Sequence, residues 1–487
     1  MTKLAIPKEV LLVADGLENA GFEAYLVGGC VRDIILEKKP KDWDLTTNAT
    51  PEEIQKIFPE TFYENTYGTV GVVGESEDPT LKVIEVTPYR KEGTYSDARR
   101  PDTVEFGISL EEDLKRRDFT VNAIAYRPKT GEMVDLHGGH EDIKKRLIKA
   151  VGNPSTRFQE DALRMMRGVR LSAELGFAIE QETAEALHAN APQLEKISKE
   201  RIRDEFIRIL ETATPMQAIF LSHKLGLLKY IAPDIERGIG IGQNQAHSFD
   251  VFEHLLRAMQ HAADKEWPFI IRLAALFHDI SKPETRRWSD EKKDWTFHGH
   301  EVVGARVAKR ALQDLKFANE IIEKTTKLVR WHMFFSDPDK ITLSAVRRMI
   351  VNVGQENIWD LLNLRICDRI GTGRPKEQPF RFRKYKSMVD EALRDPISVA
   401  MLAVNGESVI KILGEKPGPR VGWILHALLE EVLEDPKKNT KEYLEEKVQI
   451  LSLMEDSALK EMGEEGKKAR EKAEEKELEE IRAKHHV

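Results

Sequence analysis

Tyr25-Leu26-Val27-Gly28-Gly29-Cys30-Val31-Arg32-Asp33 decides how the first third of this 487-residue chain is read. An apolar strand meets two glycines and then a helix in which Val31, Ile34 and Ile35 repeat at helical spacing. Without a Cβ, Gly28 and Gly29 can bring their backbone N–H groups close to a triphosphate, and Arg32 can add a charge-assisted contact. A Gly-Gly turn of this kind is, by itself, more often only a tight turn. The next residues change that reading. Asp42-Trp43-Asp44 begins nine positions after Asp33, and residues i and i+2 of an extended strand project to one face, so the two carboxylates converge. Such a pair can bridge two Mg²⁺ ions that activate a 3′-hydroxyl and stabilise a leaving pyrophosphate. Glu85, in Leu81-Lys82-Val83-Ile84-Glu85-Val86-Thr87, shares a strand face with Leu81 and Val83 and is the candidate third acid.

Outward from this site, length predicts about three folding units. A hydrophobic content of 41% suits a globular protein, and no apolar run reaches the ~18 residues of a membrane span. Met1 to Glu9 lacks the apolar core of a secretory signal. Cys30 and Cys367 are the two cysteines, too few for a disulfide framework or a cysteine-based zinc site. These features predict a cytoplasmic protein without membrane partners. A net charge of −8 argues against binding of nucleic acid until its distribution is considered. Residues 441–487 carry ten Lys and Arg against fourteen Asp and Glu, which is half of that net charge. Short β-rich runs mix with helices up to about residue 136, and helical spacing dominates afterwards, through Leu210 and again from Phe249 to about Leu433.

Further motifs follow in order. Arg116-Arg117-Asp118-Phe119-Thr120-Val121-Asn122-Ala123 joins basic and acidic groups, and Asp135-Leu136-His137-Gly138-Gly139 leads into a helical run. With Gly28-Gly29-x-Val31-Arg32-Asp33 and Asp42-x-Asp44, these resemble the motifs of class II tRNA nucleotidyltransferases, the CCA-adding enzymes and bacterial poly(A) polymerases. The resemblance covers roughly residues 1–210. It implies nucleotide contacts by Gly28, Gly29, Arg32, Asp33, Arg116, Arg117 and Asn122, with Asp118 reading the ribose 2′-hydroxyl. A carboxylate that accepts this hydroxyl's proton is left unpaired by a deoxy analogue.

Thr156-Arg157-Phe158-Gln159 reads as a capping box, so a helix is predicted from Thr156 onward. Arg157, Asp161, Arg164 and Gly168 would then form one stripe, and Phe158, Ala162, Met165 and Val169 another. Asp and Arg three apart are usually a surface ion pair. Glu160-Asp161-x-x-Arg164, however, resembles the family motif whose Asp and Arg meet the Watson–Crick edge of the incoming base, with Arg157 and Arg167 among the nucleotide-binding positions. Cytosine and adenine both present an exocyclic amine beside a ring-nitrogen acceptor, so one acceptor and one donor serve both. Ile197 to Glu205 resembles a motif that supports the neck. Tyr89 to Pro101, polar with Gly and Pro, resembles the family's flexible loop, which implies complete CCA addition or A addition rather than CC addition.

In the helical half, His254, the pair His278-Asp279 and the distant Asp368 resemble the ligand set of HD metal-dependent phosphohydrolases. The resemblance implies a divalent metal that activates water against a phosphoester, its identity left open by a mixed imidazole and carboxylate set. His300 and His332 could supply a second ion, with His298 a weaker match. Together the motifs predict an α+β protein. A polymerase-beta-like nucleotidyltransferase head spans 1–137 and an all-α neck with the base-recognition motif 138–210. A helical connector (211–245), an HD domain (246–372), C-terminal helices (373–453) and a charged helical tail (454–487) follow. The expected activity is addition of nucleotides from CTP and ATP to the 3′ end of tRNA, with Mg²⁺ in the head and hydrolysis of phosphoesters in the HD domain. Two rivals stand beside it: an A-adding specialist or poly(A) polymerase, and an HD phosphohydrolase whose head only binds RNA.

Overall fold

The computed structural model describes residues 4–63, 68–92, 104–244, 247–334 and 341–462, in two compact units, 1–233 and 234–487. The first unit begins with a helix, Lys8–Asn19, whose Val10, Val13, Ala14 and Leu17 are buried at three- and four-residue spacing. A seven-stranded sheet follows, built from β1 (Tyr25–Val27), β2 (Asp44–Thr47), β3 (Thr61–Tyr63), β4 (Val70–Val73), β5 (Val83–Pro88), β6 (Ala125–Arg127) and β7 (Glu132–Val134). Its order is β3-β4-β5-β2-β1-β6-β7. β2 and β5 run parallel and every other neighbouring pair antiparallel. β5 is an alternating strand with Ile84 and Val86 buried, which leaves Val83, Glu85 and Thr87 on the other, half-buried face.

Three local expectations need correction. Asp42 lies in the bend before β2, so only Asp44 of the pair is in the strand. Leu81 ends a short 3₁₀ turn, Pro79–Leu81, because Asp78 accepts the Thr80 N–H and Pro79 fits the first position; it shares no strand face with Glu85. The helix predicted from Thr156 starts earlier, as Pro154–Glu160, because Asn153 accepts the Thr156 N–H and Pro154 occupies the first turn. It also stops at Asp161, whose φ of −138° and ψ of 106° are extended. A new helix, Leu163–Leu175, follows, so Arg157 and Arg164 do not sit on one continuous stripe.

Call Gly29–Ile35 α1, Leu110–Lys115 α2, Pro154–Glu160 α3, Leu163–Leu175 α4 and Lys199–Glu211 α5. α4 buries Met165, Met166, Val169 and Leu171, and α5 buries Ile202, Phe206 and Ile209. Leu147–Ile148 and Ala178–Ile179 form a small parallel pair where helical spacing alone was expected. In the second unit, α6 (Val251–Asp264), α7 (Phe269–Phe277), α8 (His300–Asp314), α9 (Asn319–Trp331) and α10 (Ile358–Gly371) form the helical body. α7 is apolar almost throughout and buried from Leu273 to Phe277. A hairpin, Arg287–Ser289 with Asp294–Thr296, interrupts this helical region. α11 (Phe380–Ala392), α12 (Pro419–Glu434) and α13 (Lys441–Ser452) complete it. Of the loop read at Tyr89 to Pro101, residues 93–101 lie outside the described residues, as does the tail from 463 onward. Among the described residues no helix is long and apolar enough to cross a membrane.

Candidate functional site

In the head, Gly28 adopts φ +80° and ψ −139°, a conformation closed to side-chain-bearing residues, between β1 and α1. A Cβ on Gly28 would lie 3.4 Å from Asp44 Oδ2 and 3.6 Å from Arg117 Nη1. One on Gly29 would lie 3.5 Å from Arg32 Nη2 and 3.9 Å from Asp42 Oδ1. The two glycines therefore form a floor, with two carboxylates and two guanidinium groups around it. Asp44 is the register partner of Glu85 across the parallel β2–β5 pair, which puts the third acid on the same sheet face. Asp42 precedes the strand, and Glu85 stands one strand away from Asp44. Their oxygen-only donor set suits a hard divalent cation. Cys30, behind this floor, is inert: burial pushes its thiol up to about 12.

The second motif is bound to the first by hydrogen bonds. Arg32 donates Nε and Nη2 to Asp33 Oδ1 at 2.9 and 2.7 Å and Nη1 to Asn122 Oδ1 at 2.7 Å. Asn122 reaches Asp118 Oδ1 at 3.4 Å, which also accepts the Phe119 N–H at 2.8 Å. Arg167 Nη2 stands 2.7 Å from Asp118 Oδ2. Burial alone would raise the Asp118 carboxyl, but Arg167, Arg164 and these donors hold it below the usual range, so it is anionic. Asp113, on α2 and fully buried, was not singled out from sequence. It accepts Arg116 through Oδ1 (3.0 and 2.7 Å) and Arg117 through Oδ2 (3.1 Å). Its spacing, three and four residues before the two arginines, is the signal that could have found it.

The break at Asp161 has a consequence for the base-reading pair. Asp161 Oδ1 accepts the Leu163 N–H at 3.0 Å, an Asx-type turn leading into α4, while Oδ2 takes Arg201 Nη2 at 2.8 Å. Arg164 donates Nη1 to Glu160 Oε2 at 2.6 Å and Nη2 to the Arg116 carbonyl at 3.0 Å. Arg157 shares Glu160 Oε2 at 2.9 Å. Glu160 and Arg201 thus hold the two groups expected to meet the base, and neither was assigned that part from sequence.

In the second unit, His254, His278, Asp279 and Asp368 converge, and Asp279 converges again with His300 and His332. The two groups use different oxygens of one carboxylate. Asp279 Oδ2 lies 2.9 Å from His254 Nε2 and 3.3 Å from His278 Nε2. Oδ1 lies 3.1 Å from His300 Nε2 and 3.4 Å from His332 Nε2. Asp368 Oδ1 closes the first group, 3.6 and 3.7 Å from the Nε2 atoms of His254 and His278. His278, His300 and His332 each turn Nδ1 to a backbone carbonyl, of Ala275, Phe297 and Val329, at 2.6 to 2.8 Å, which leaves Nε2 facing the centre. Asp279 and Asp368 are held well below the carboxylate range: burial opposes this, but Lys282, His278 and Arg365 outweigh it. Burial lowers His254 and His332, whereas at His278 burial is outweighed by Asp279 and Asp368, which raise it to about 10. These anionic oxygens and imidazoles fit divalent transition metals. Lys282, missed from sequence though it follows Asp279 at i+3, donates to Asp279 Oδ2 and Gln243 Oε1, both at 2.6 Å. His298 is exposed and belongs to neither group.

Comparison with known proteins agrees with this layout. Residues 24–149 match the poly A polymerase head domain, 176–239 the probable RNA and SrmB-binding site of polymerase A, and 246–362 the HD domain. A CCA-adding enzyme of Geobacillus thermodenitrificans is 33% identical over 89% of this chain and 95% of its own length. One of Enterococcus faecalis is 34% identical over 90% and 94%. The crystal structure of Bacillus stearothermophilus CCA-adding enzyme in complex with CTP is 30% identical, covers 91% of this chain and 96% of that one, and superposes with a TM-score of 0.66.

Proposed function

This chain belongs to the CCA-adding enzyme family, and from that premise we propose that it builds the CCA end of tRNA from CTP and ATP, in the cytoplasm. The observation that carries the reading is the glycine floor, with Asp42, Asp44, Arg32 and Arg117 around it and Glu85 in register with Asp44. Asp42, Asp44 and Glu85 would hold Mg²⁺, for which an oxygen-only set is suited. When bound, the metal ions lower the barrier to attack by the tRNA 3′-hydroxyl and stabilise the leaving pyrophosphate. Gly28 and Gly29 admit the triphosphate to the backbone, and Arg32 and Arg117 neutralise it. Asp118, anionic and buried, takes the ribose 2′-hydroxyl. Asp161 accepts the exocyclic amine that cytosine and adenine share, and Arg164 donates to the neighbouring ring nitrogen. Uracil and guanine offer the opposite pattern and leave these groups unpaired.

The helical unit carries a second reading, supported by the split of Asp279 between two histidine groups. His254, His278, Asp279 and Asp368 would hold one divalent metal, and Asp279, His300 and His332 a second, for hydrolysis of phosphoesters at RNA ends. The deciding experiment supplies tRNA ending at the discriminator base, in C or in CC, with labelled CTP or ATP. Complete CCA addition requires C incorporation on the first two; A on the CC end alone would instead identify an A-adding specialist. Asp42→Ala must abolish addition and spare phosphatase activity, and Asp279→Ala must do the reverse. Extension of tRNA by Asp42→Ala would show that the chemistry lies elsewhere.

A further inference from the structure

The metal centre of the helical unit lies at the end of a helical hairpin: His300 opens α8 and His332 directly follows α9. A groove of about 800 Å³ runs along these two helices, lined by Arg306 and Lys309 of α8 and by Lys324 and Lys327 of α9. A cleft of about 1260 Å³ contains Asp279, His300 and Asp368. Arg330 and Trp331 line both, so the groove and the metal cleft are neighbours that share these two side chains. Arg306, Lys309 and Lys327 have no hydrogen-bond or ion-pair partner among the described residues. Lys324 is paired with Asp360 at 2.8 Å, so the opposed like charges are Arg306 and Lys309, at i and i+3 of one helix, with Lys327 of the next, and they repel unless an anion lies between them. Glu320, Glu323 and Glu356 also line the groove. The two glutamates of α9 sit at the end of that helix remote from the centre, since the hairpin turns just before it at residues 315–318.

From His300 to Lys309 the helix rises about 14 Å. This is too long for one phosphate at the centre, and fits a chain of them. At the junction, Arg330 lies over the Trp331 ring at 5.1 Å, which is the pairing of guanidinium and aromatic faces that bases stack on. We propose that the α8–α9 groove holds the backbone of a single-stranded RNA and delivers its 3′ end past Trp331 into the metal cleft. This rests on the reading of that cleft as a phosphohydrolase. Cations along the helices take successive phosphates, and the aromatic junction accepts an unstacked base, which a duplex cannot offer.

The test uses the full chain with Mn²⁺ and measures phosphate release from 3′-phosphorylated oligouridylates of one to eight nucleotides, and from bis(p-nitrophenyl) phosphate. The groove requires KM to fall at least tenfold from the mononucleotide to the octamer. In Arg306→Glu/Lys309→Glu that length dependence should vanish with kcat held, and the salt dependence of octamer binding, followed by anisotropy, should weaken. A KM independent of length, or an equal gain with a blunt duplex, overturns the proposal. If no ester is hydrolysed, the phosphohydrolase reading falls; octamer binding then decides the groove by itself, and equal affinity for wild type and the double variant rejects it.

Discussion

Arg201, on α5, stands 2.8 Å from Asp161 across forty residues of sequence, Nη2 to Oδ2. Asp161 is also the residue at which α3 ends, and its side chain accepts the N–H of Leu163, the first residue of α4. A carboxylate held at both oxygens, by a guanidinium and by a backbone N–H, has little freedom to tilt towards the wrong base.

On the proposed reading of Asp161, Arg201 is a positioning residue for base choice. Arg201→Ala is expected to lower the preference for CTP over UTP by about tenfold, or ~1.4 kcal/mol, while the KM for tRNA stays within about twofold. Arg201→Lys, which keeps the charge but not the planar fork, should recover part of it. Single-nucleotide incorporation with each triphosphate reads the ratio. An unchanged ratio with lowered urea resistance would assign Arg201 to support of the neck alone.

Asp279 offers Oδ2 to one histidine group and Oδ1 to the other, so the two proposed ions are separable by mutation. Protein loaded with Mn²⁺ or Fe²⁺ and then desalted should retain two ions in the helical unit, one in His300→Ala or His332→Ala, and none in Asp279→Ala. Elemental analysis counts them. Retention of two ions by His300→Ala would refute the shared carboxylate. Nucleotide addition to tRNA should be unchanged in all three, since the head keeps its own acids.

Much of this was readable from spacing. A strand, a glycine pair and a helix announce themselves through the change from apolar run to 3.6-residue period, and the spaced His and Asp residues converge as a set. What escaped depended on pairs far apart in sequence or on single turns. The contact of Arg32 with Asn122 spans ninety residues, and no local pattern fixes it. The break at Asp161 turns on an Asx-type hydrogen bond that competes with the helix. Asn153 with Pro154 is a stronger start than Thr156, and it moved the helix forward by two residues. The hairpin at 287–296 is short and carries charged residues, so its alternation is lost in the surrounding helical signal.

Gly139 gives a sharper test of packing between the sheet and the helix that follows it. A Cβ there would stand 2.1 Å from the Thr120 carbonyl oxygen and 2.8 Å from its carbon, both backbone atoms of the second motif. Thr120 is itself held through its hydroxyl by Asp142 at 2.7 Å. Backbone cannot rotate away as a side chain would, so Gly139→Ala should cost ~3 kcal/mol. Urea unfolding followed by tryptophan fluorescence measures it. Gly138→Ala, with open space around its Cβ but φ +74°, should cost only about 1 kcal/mol.

Glu431 joins α12 to α13 and carries a pH dependence of definite sign. It accepts Lys438 Nζ at 3.0 Å, Tyr443 Oη at 2.8 Å and Lys447 Nζ at 3.0 Å. Burial opposes ionisation, yet these donors bring its pKa from 4.5 down to about 2. A depressed folded-state pKa means that stability is fully present above the unfolded value and drains as pH falls from 4.5 through 2. About a third of the side chain is exposed, so screening reduces the contribution to ~1 kcal/mol. Glu431→Gln should therefore unfold at lower urea than wild type at pH 7, and the gap should narrow between pH 4.5 and 3. A gap that stays constant over that range would mean that the carboxylate packs α12 against α13 by shape and neutral hydrogen bonds, not by charge.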